Sequence, residues 1–411
     1  MSGTGNCGKC GICLSVCPVY AVLKEEQNSP RARVQLIKAY KNKKLPSSPL
    51  LKELIAKCLM CGSCAANCPS GVDHYSQFME MRSQLIEKHG DRLEIRGLVY
   101  LLAKEQRLRL AMGAARMGQA VVPSAFQKKY RLGNIPVKNY PKLNKKPFRA
   151  EVPEEIPPIS QERGTVLYFT GCGTNYIFGE TGHAALKILS RLGYRVLIPQ
   201  KQTCCSIPML FHGGVEEARE NIIANIECLQ HENACAVLVD CPTCGSALRD
   251  EFPAMMRKYG LDDAVAEQIA AKTQDMTAFI ADHLDQLTFR QEDAEPARVG
   301  YHLPCHLKNA AGSSEAILRQ IPTIDYVQLA NSGDCCGGGG TFFYEYPELS
   351  GQIAAAKIAS IRESGAQIWL TDCPVCRINL AGQLAEEDGI AMMHPLSLLA
   401  GLLDELDKQV L

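Results

Sequence analysis

The chain has 411 residues, of which 46% are hydrophobic and 21% are charged, and its acidic and basic residues balance to a formal net charge of zero. This length and composition are typical of a globular protein with two or three domains. They argue against the basic balance of a nucleic-acid-binding protein, and the sequence has no apolar run long enough for a transmembrane helix. The N-terminus lacks the apolar segment of a secretory signal, which predicts a cytoplasmic location.

Cysteine is the unusual component of this chain. There are 20 cysteines, of which eight lie within residues 7–68 and twelve within 172–376. In a reducing compartment such a content indicates metal ligation rather than a disulfide framework.

The first seventy residues contain the string C-x2-C-x2-C-x3-C-P twice. A [4Fe–4S] cubane takes four thiolates, and in two-cluster ferredoxins the fourth cysteine of each string serves the other cluster. Zinc also takes four thiolates, but two zinc sites would not need this doubled spacing. We therefore assign cluster 1 to Cys7, Cys10, Cys13 and Cys68, and cluster 2 to Cys58, Cys61, Cys64 and Cys17.

Helical periodicity dominates the segments beside these strings. Residues 31–40, in the insert between the strings, read as a helix, which favours a helical ferredoxin like those of succinate dehydrogenases. Helical patterns continue through 72–120, with one helix predicted to end at Gly90.

The middle of the chain is locally basic. Residues 91–150 hold 14 Lys and Arg but 3 Asp and Glu, which is typical of a solvated linker or of a docking surface for an acidic partner or anionic lipid. Recurrent prolines over 134–158 predict an extended connector and a domain boundary.

The C-terminal part repeats itself at an interval of about 132 residues. The recurring cysteines of the first unit are Cys172, Cys204, Cys205, Cys241 and Cys244, and those of the second are Cys305, Cys335, Cys336, Cys373 and Cys376. The flanks LVDCPTCG and LTDCPVCR also match, which predicts two homologous domains. Each unit alternates apolar strands with helical patterns, so a parallel sheet with the cysteines at the carboxyl ends of its strands is expected. Five thiolates per unit exceed the need of one cubane or one zinc ion.

These strings resemble the cysteine-rich "CCG" domain of heterodisulfide reductases, glycolate oxidase iron–sulfur subunits and lactate-oxidising proteins. The whole arrangement is similar to the iron–sulfur subunit of glycolate oxidase or respiratory D-lactate dehydrogenase. The resemblance implies an α+β, α/β multidomain chain, with an N-terminal α-helical 2x[4Fe–4S] ferredoxin module followed by two tandem homologous α/β CCG domains. The expected domains are the ferredoxin at 1–90, a helical and Pro-rich basic linker at 91–160, and CCG domains at 161–290 and 291–411.

The resemblance also implies cofactors and partners. Each set of five cysteines is expected to hold a noncubane [4Fe–4S] cluster, with zinc as an alternative at one site. The first set reads CCS, with Ser206 where the family usually has glycine. An FAD-containing hydroxyacid dehydrogenase subunit would supply electrons and a quinone or other carrier would accept them. Any membrane contact would be peripheral, through the complex.

Four functions stay open on the sequence alone. The leading interpretation is an electron-transfer subunit, since the chain has no Rossmann fingerprint, flavin signature or P-loop. The others are a catalytic thiol–disulfide reductase like heterodisulfide reductase, the iron–sulfur subunit of anaerobic glycerol-3-phosphate dehydrogenase, and a scaffold without turnover.

Some residues near the strings have structural explanations. Cys228 and Cys235 are expected to be small buried residues of a helix and a strand start. His302 and His306 bracket Cys305 and would orient it by hydrogen bonding or tune a cluster. Asp240 and Asp372 are expected to bond turn N–H groups.

Overall fold

The computed structural model describes residues 6–122, 130–133, 135–290, 295–307, 310–384 and 388–404. A helical N-terminal part is followed by two α/β units, as predicted. Within those ranges, no helix combines the length and apolar character needed to cross a membrane.

The N-terminal part is helical and its helices begin at the residues that the sequence offers as caps. Ser29 and Ser48 accept hydrogen bonds from the first turns of the helices that follow them, each of which has proline at its first position. Gly90 ends the sixth helix as predicted. The helices are α1 (Ile12–Ser15), α2 (Pro18–Leu23), α3 (Pro30–Lys41), α4 (Pro49–Ala56), α5 (Ser63–Ala66), α6 (His74–His89), α7 (Leu93–Leu102) and α8 (Glu105–Val121), with a 3-10 turn at Glu26–Asn28.

The predicted connector contains short regular elements. These are β1 (Arg131–Leu132), β2 (Ile135–Pro136), a 3-10 turn at Val137–Asn139, α9 (Phe148–Glu151) and β3 (Glu155–Ile156). The β3 strand pairs antiparallel with a strand of the first α/β unit, so the sheet already begins inside the segment predicted as linker. The four domain limits stay predictions.

The first α/β unit has a five-stranded sheet in the order β3-β5-β4-β6-β7, parallel except for β3. Its strands are β4 (Gly164–Phe169), β5 (Tyr194–Leu197), β6 (Ala234–Val239) and β7 (Thr273–Asp275). Its helices are α10 (Gly171–Tyr176), α11 (Gly179–Arg191), α12 (Ile207–Phe211), α13 (Val215–Leu229), α14 (Pro242–Ser246), α15 (Phe252–Lys258), α16 (Ala264–Lys272) and α17 (Met276–Ala281), with a π turn at Ala247–Glu251 and a 3-10 turn at Leu284–Gln286.

The second α/β unit has a four-stranded sheet in the order β11-β10-β8-β9, and every pairing is parallel. Its strands are β8 (Ala297–Tyr301), β9 (Ile324–Val327), β10 (Ile368–Leu370) and β11 (Ala391–Met393). Its helices are α18 (Ser313–Gln320), α19 (Phe342–Glu345), α20 (Pro347–Glu363), α21 (Pro374–Gln383) and α22 (Pro395–Leu402).

Apolar packing crosses the boundaries between these parts. Val34 and Phe78 of the N-terminal helices share one buried cluster with Ile222 and Phe252 of the first α/β unit. The last helix, α22, packs against α11 of the first unit rather than only on its own sheet. Lys187 of α11 reinforces this contact by donating to the Ala400 carbonyl at 2.7 Å. Separating the parts would therefore expose apolar surface to water.

Ser206 and Gly337 occupy equivalent places and have the same backbone conformation, with φ of 72° and 77°. The residues that face them are exchanged in kind: Ser206 faces the Ala218 carbonyl at 3.5 Å, whereas Ser350 donates to the Gly337 carbonyl at 2.8 Å. A Cβ atom at Gly337 would lie 2.5 Å from the Ser350 carbonyl oxygen. The first repeat therefore accommodates a side chain that the second cannot.

We expect Gly337→Ala to lower the free energy of unfolding by about 1–3 kcal/mol, because it combines positive φ with a backbone clash. The matched change Ser206→Gly relieves strain and should alter stability by less than about 1 kcal/mol. Thermal unfolding of the full chain, followed by circular dichroism at one scan rate, compares the two. Equal effects would contradict the difference in space.

Glu251 ends the π turn and is buried against the N-terminal part. Burial raises the pKa of this carboxyl to about 7, and the carboxylates of Asp250 and Asp73 contribute to the increase. Because the folded-state pKa exceeds the ordinary 4.5, its contribution to stability is complete in acid and is lost as pH rises towards 7.

Accordingly, Glu251→Gln should raise the free energy of unfolding at pH 8 by up to roughly 3 kcal/mol and have little effect near pH 4.5. Denaturant unfolding at the two pH values measures this. Glu216→Gln, at an exposed carboxylate, is the control and should show no such dependence. A pH-independent effect of Glu251→Gln would refute the buried-acid explanation.

Candidate iron–sulfur sites

Each N-terminal cysteine loop turns into a one-turn helix at a left-handed glycine. Gly11 precedes α1 with φ of 85°, and Gly62 precedes α5 with φ of 72°. Side chains are strained in this region, which explains glycine at both positions. The third cysteine of each string, Cys13 or Cys64, lies in the short helix that follows.

A small cavity beside α2 is lined by Cys17 together with the first three cysteines of the second string, namely Cys58, Cys61 and Cys64. Burial raises the pKa of Cys17 to about 11, and the neighbouring Cys58 contributes to the increase. The fourth cysteine of the first string thus lies with the second string, which is the crossing that the ferredoxin spacing predicts.

The first string is more exposed. Cys13 lies close enough to Cys7 and Cys10 for their charges to raise its pKa, after the larger effect of burial. A Cβ atom at Gly8 would lie 3.6 Å from the Ser70 hydroxyl, which places this loop beside the residues that follow Cys68. The assignment of Cys68 to cluster 1 stays a prediction.

In both α/β units the cysteines follow the carboxyl ends of parallel strands, as predicted. In the first unit they come after β4, β5 and β6, and in the second after β8, β9 and β10. Loops that are far apart in sequence therefore meet at one edge of each sheet.

The thiols of each repeat form a continuous series of neighbours. In the first repeat, Cys172, Cys204, Cys205, Cys244 and Cys241 follow one another through side-chain contacts. In the second, the series is Cys335, Cys336, Cys376 and Cys373, with Cys305 close enough to Cys335 to influence its charge. The Cys336 and Cys376 Sγ atoms are 3.0 Å apart.

Backbone amides point at these sulfur atoms. Gly337 and Gly338 donate N–H groups at 3.3 Å to the Sγ atoms of Cys335 and Cys336. In the first repeat, the Ser206 amide donates to Cys204, so the CCS variant keeps this contact. Such pairs of N–H groups stabilise anions.

The two aspartates that precede Cys241 and Cys373 bind buried hydroxyl groups. Asp240 accepts from Tyr168 at 2.6 Å, and Asp372 accepts from Tyr301 at 2.5 Å. The expectation that their main partners are turn N–H groups is therefore wrong. Each aspartate instead ties the end of a strand to a tyrosine of the neighbouring strand, which fixes the cysteine beside it.

A largely apolar cavity of about 180 Å³ lies between the two α/β units. Its wall includes the Cys205 and Cys244 thiols of the first repeat and the Cys336 and Cys376 thiols of the second. Cys61 of the N-terminal part lines the same cavity. Ligand candidates from all three parts therefore converge here.

The donor sets fit iron–sulfur clusters. Contacts with Cys204 and Cys244 lower the pKa of Cys205 to about 6, whereas Cys204 and Cys244 themselves have pKa values well above their ordinary range. Several thiolates in one dry site therefore require a compensating cation. Iron supplies that charge, and thiolate sulfur is its usual protein ligand in such clusters.

Sequence reasoning missed buried groups outside the cysteine strings. Arg33 and Arg82 bind backbone carbonyls at and just before Cys58. His394 donates to the Asp240 carbonyl at 3.0 Å while its other ring nitrogen accepts from an amide, and burial lowers its pKa to about 3. Only the fold brings these residues to the sites.

The two cysteines outside the strings differ in exposure. Cys228 is half-buried in α13, whereas Cys235 in β6 is exposed. Their placement on a helix and at a strand start is confirmed, but the expectation that Cys235 is buried is wrong. It lies at the second position of β6, and the other residues of this strand are buried.

Family profiles match most of this architecture. The 4Fe–4S dicluster domain matches residues 3–72, and the cysteine-rich (CCG) domain matches 166–249 and again 299–381. The two matches to the cysteine-rich domain coincide with the repeat that the cysteine spacing predicts.

Three relatives extend the similarity. The probable glycolate oxidase iron–sulfur subunit of Bacillus subtilis is 27% identical over 398 residues, which cover 91% of this chain and 88% of the relative. Lactate utilization protein A of an Exiguobacterium species is 32% identical over 248 residues, 59% of this chain and 98% of the relative. A dihydromethanophenazine:CoB–CoM heterodisulfide reductase component from Methanosarcina acetivorans, itself one subunit of that enzyme, is 24% identical over 401 residues, 91% of this chain and 88% of the relative.

Two of these relatives are named as subunits of oxidoreductases, which agrees with a chain that works beside a partner subunit. The match to the third covers nearly all of that protein. The chain therefore belongs to the family of iron–sulfur oxidoreductase subunits in which a 4Fe–4S dicluster module is combined with two cysteine-rich CCG domains.

Proposed function

We propose that this chain is the electron-transfer subunit of a flavin-dependent 2-hydroxyacid dehydrogenase that oxidises glycolate or D-lactate. An FAD-containing partner would bind the hydroxyacid and remove a hydride. A quinone or another carrier would be the final acceptor, and contact with the inner face of a membrane would be peripheral, through the complex. The names of the relatives support the substrate class.

The observation that carries this proposal is the shared cavity. Cys61 of the dicluster module and cysteines of both CCG domains line one space between the three parts. Cys61 also lies close enough to Cys335 for their charges to interact. Redox sites in such contact suit an electron-transfer chain better than independent structural metal sites.

We propose the following ligands. Cluster 1 would be held by Cys7, Cys10, Cys13 and Cys68; cluster 2 by Cys58, Cys61, Cys64 and Cys17; the first CCG site by Cys172, Cys204, Cys205, Cys241 and Cys244; and the second by Cys305, Cys335, Cys336, Cys373 and Cys376. When bound, iron–sulfur clusters supply one-electron redox chemistry, which a two-electron flavin donor and a distant acceptor require.

The protein itself supplies position, charge and exclusion of water. Arg33 is fully buried in the wall of the cluster 2 cavity, and its positive charge favours the thiolate form of Cys17. Amides of Gly337 and Gly338 do the same for the second CCG site. Both devices stabilise negative charge where water is excluded.

The crossed ligand sets can be tested by single substitutions in the full chain. We expect Cys17→Ser to change the same paramagnetic signal as Cys64→Ser and to remove up to about four irons per chain, since both would ligate cluster 2. Cys13→Ser should change the other signal. Iron analysis and electron paramagnetic resonance (EPR) spectroscopy measure this, with Cys228→Ser as the unaffected control. Matching spectra for Cys17→Ser and Cys13→Ser would contradict the crossing.

The role as an electron-transfer subunit predicts dependence on a flavoprotein. Under anaerobic conditions, the reconstituted chain alone should not be reduced by glycolate, D-lactate or glycerol 3-phosphate. Addition of the matching FAD subunit should bleach the cluster absorbance with one of these substrates. Cys61→Ser should slow this reduction, whereas Cys228→Ser should not. Reduction of the isolated chain by a hydroxyacid, or no reduction with any flavoprotein of this class, would refute the proposal.

A second candidate function is favoured by the cavity itself. A space of about 180 Å³ flanked by two five-cysteine sets could admit a small disulfide, as expected for a catalyst like heterodisulfide reductase. Turnover of a disulfide by the isolated chain with an artificial one-electron donor would favour this candidate. Turnover only with a hydroxyacid and a flavoprotein favours the first.

A further inference from the structure

The two CCG sites differ at one buried position that faces the thiols. The segments YFTGC and YHLPC correspond, so Phe169 in the first repeat is replaced by His302 in the second. The surrounding frame is the same, since the preceding tyrosine binds the repeat's aspartate in each case. Both Phe169 and His302 are almost fully buried. The second site therefore has a nitrogen base where the first has a phenyl ring.

The imidazole of His302 is aimed at the second site. Its Nε2 atom has no well-aligned hydrogen-bond partner among the described residues, although only 1% of the residue is exposed. This atom and the Sγ atoms of Cys336 and Cys376 all lie within 4.8 Å of one another. Ligands about 2.0–2.3 Å from one metal ion are up to roughly 4.6 Å apart, so one ion could contact all three.

The other ring nitrogen fixes which atom carries the proton. His302 Nδ1 lies 3.2 Å from the Ser332 carbonyl oxygen, which can only accept a hydrogen bond. Nδ1 is therefore the donor, and in the neutral ring Nε2 presents a lone pair to the thiols. Metal-binding histidines usually have this arrangement, with one nitrogen on the metal and the other donating to a carbonyl.

The Ser332 carbonyl is itself held in place. The buried ammonium group of Lys357 donates to it at 3.0 Å, and the Leu303 amide does so at the same distance. The position equivalent to Lys357 in the first repeat is Asn225, whose amide instead binds the Cys204 carbonyl at 3.1 Å. Of these two equivalent positions, the one in the second repeat supports an imidazole and the one in the first does not.

We propose that His302 Nε2 is a nitrogen ligand to iron at the second CCG site, beside the cysteines, and that the first site has no such ligand. The inference rests on the proposed function, because it requires that the second site hold an iron–sulfur cluster. Coordination uses the lone pair already present on Nε2, so no proton has to leave the ring.

The test uses the full chain, reconstituted anaerobically with iron and sulfide, with and without ¹⁵N-labelled histidine. Pulsed EPR of the wild type should show the strong nitrogen coupling of a directly bound imidazole, and labelling should change it. His302→Gln should abolish the coupling. His306→Gln is the matched control, since His306 also neighbours Cys305 but its Nε2 faces the Met60 carbonyl at 3.1 Å.

Iron release to a chelator gives a second readout that does not depend on a paramagnetic state or on activity. We expect His302→Gln to lose the iron of the second site at least about tenfold faster than the wild type, with His306→Gln unchanged. Circular dichroism of both variants shows whether they are folded. Equal release rates and no nitrogen coupling in the wild type would overturn the inference.

The failure of this inference is distinguishable from failure of the proposed function. If Cys336→Ala removes iron but no histidine nitrogen couples to the wild-type signal, the cluster exists and only the histidine ligand is wrong. If Cys336→Ala removes no iron, or the site binds zinc instead, the second cluster is absent and both are overturned.

Discussion

The loop from Cys58 to Gly62 is the point at which the three parts of the protein are held together, and buried arginines keep it in place. Arg33 donates to the Leu54 and Lys57 carbonyls, and Arg82 donates to those of Ala56 and Cys58. These are carbonyls at the end of α4 that no helical hydrogen bond can satisfy. Two guanidinium groups therefore satisfy the helix end and place positive charge beside a cluster site.

The same loop contacts both CCG domains. Arg82 also reaches the Phe211 carbonyl of the first domain at 3.4 Å. His306 of the second domain donates to Met60, and the Leu59 side chain packs where a Cβ atom at Gly339 would have stood. Because the loop also supplies Cys61 to the shared cavity, a change here would disturb the contacts between redox sites as well as local stability.

The two CCG repeats keep one framework and differ in the groups that surround the thiols. Strand ends, aspartate–tyrosine pairs and the positive-φ residue after each cysteine pair recur in both. The differences are a serine exchanged across a contact, a histidine in place of a phenylalanine, and a lysine in place of an asparagine. A frame of this kind lets two copies of one domain provide sites of different electronic character.

The cysteine spacing and the periodicity of the flanking residues determined much of this description. Doubled strings predicted the dicluster module, the interval of about 132 residues predicted two homologous domains, and alternating apolar runs predicted parallel sheets. These features are local in sequence, since chelating loops, strands and caps depend on residues only a few positions apart.

Only the tertiary structure decided how those pieces meet. No local signal in the sequence indicates that β3 joins the sheet from the predicted linker, that α22 returns to the first domain, or that Arg82 spans two parts. The sequence likewise left His302 with two structural explanations, because the direction of a ring nitrogen depends on the Ser332 carbonyl thirty residues away. Contacts between distant segments depend on packing, and packing has no signature within a single stretch of sequence.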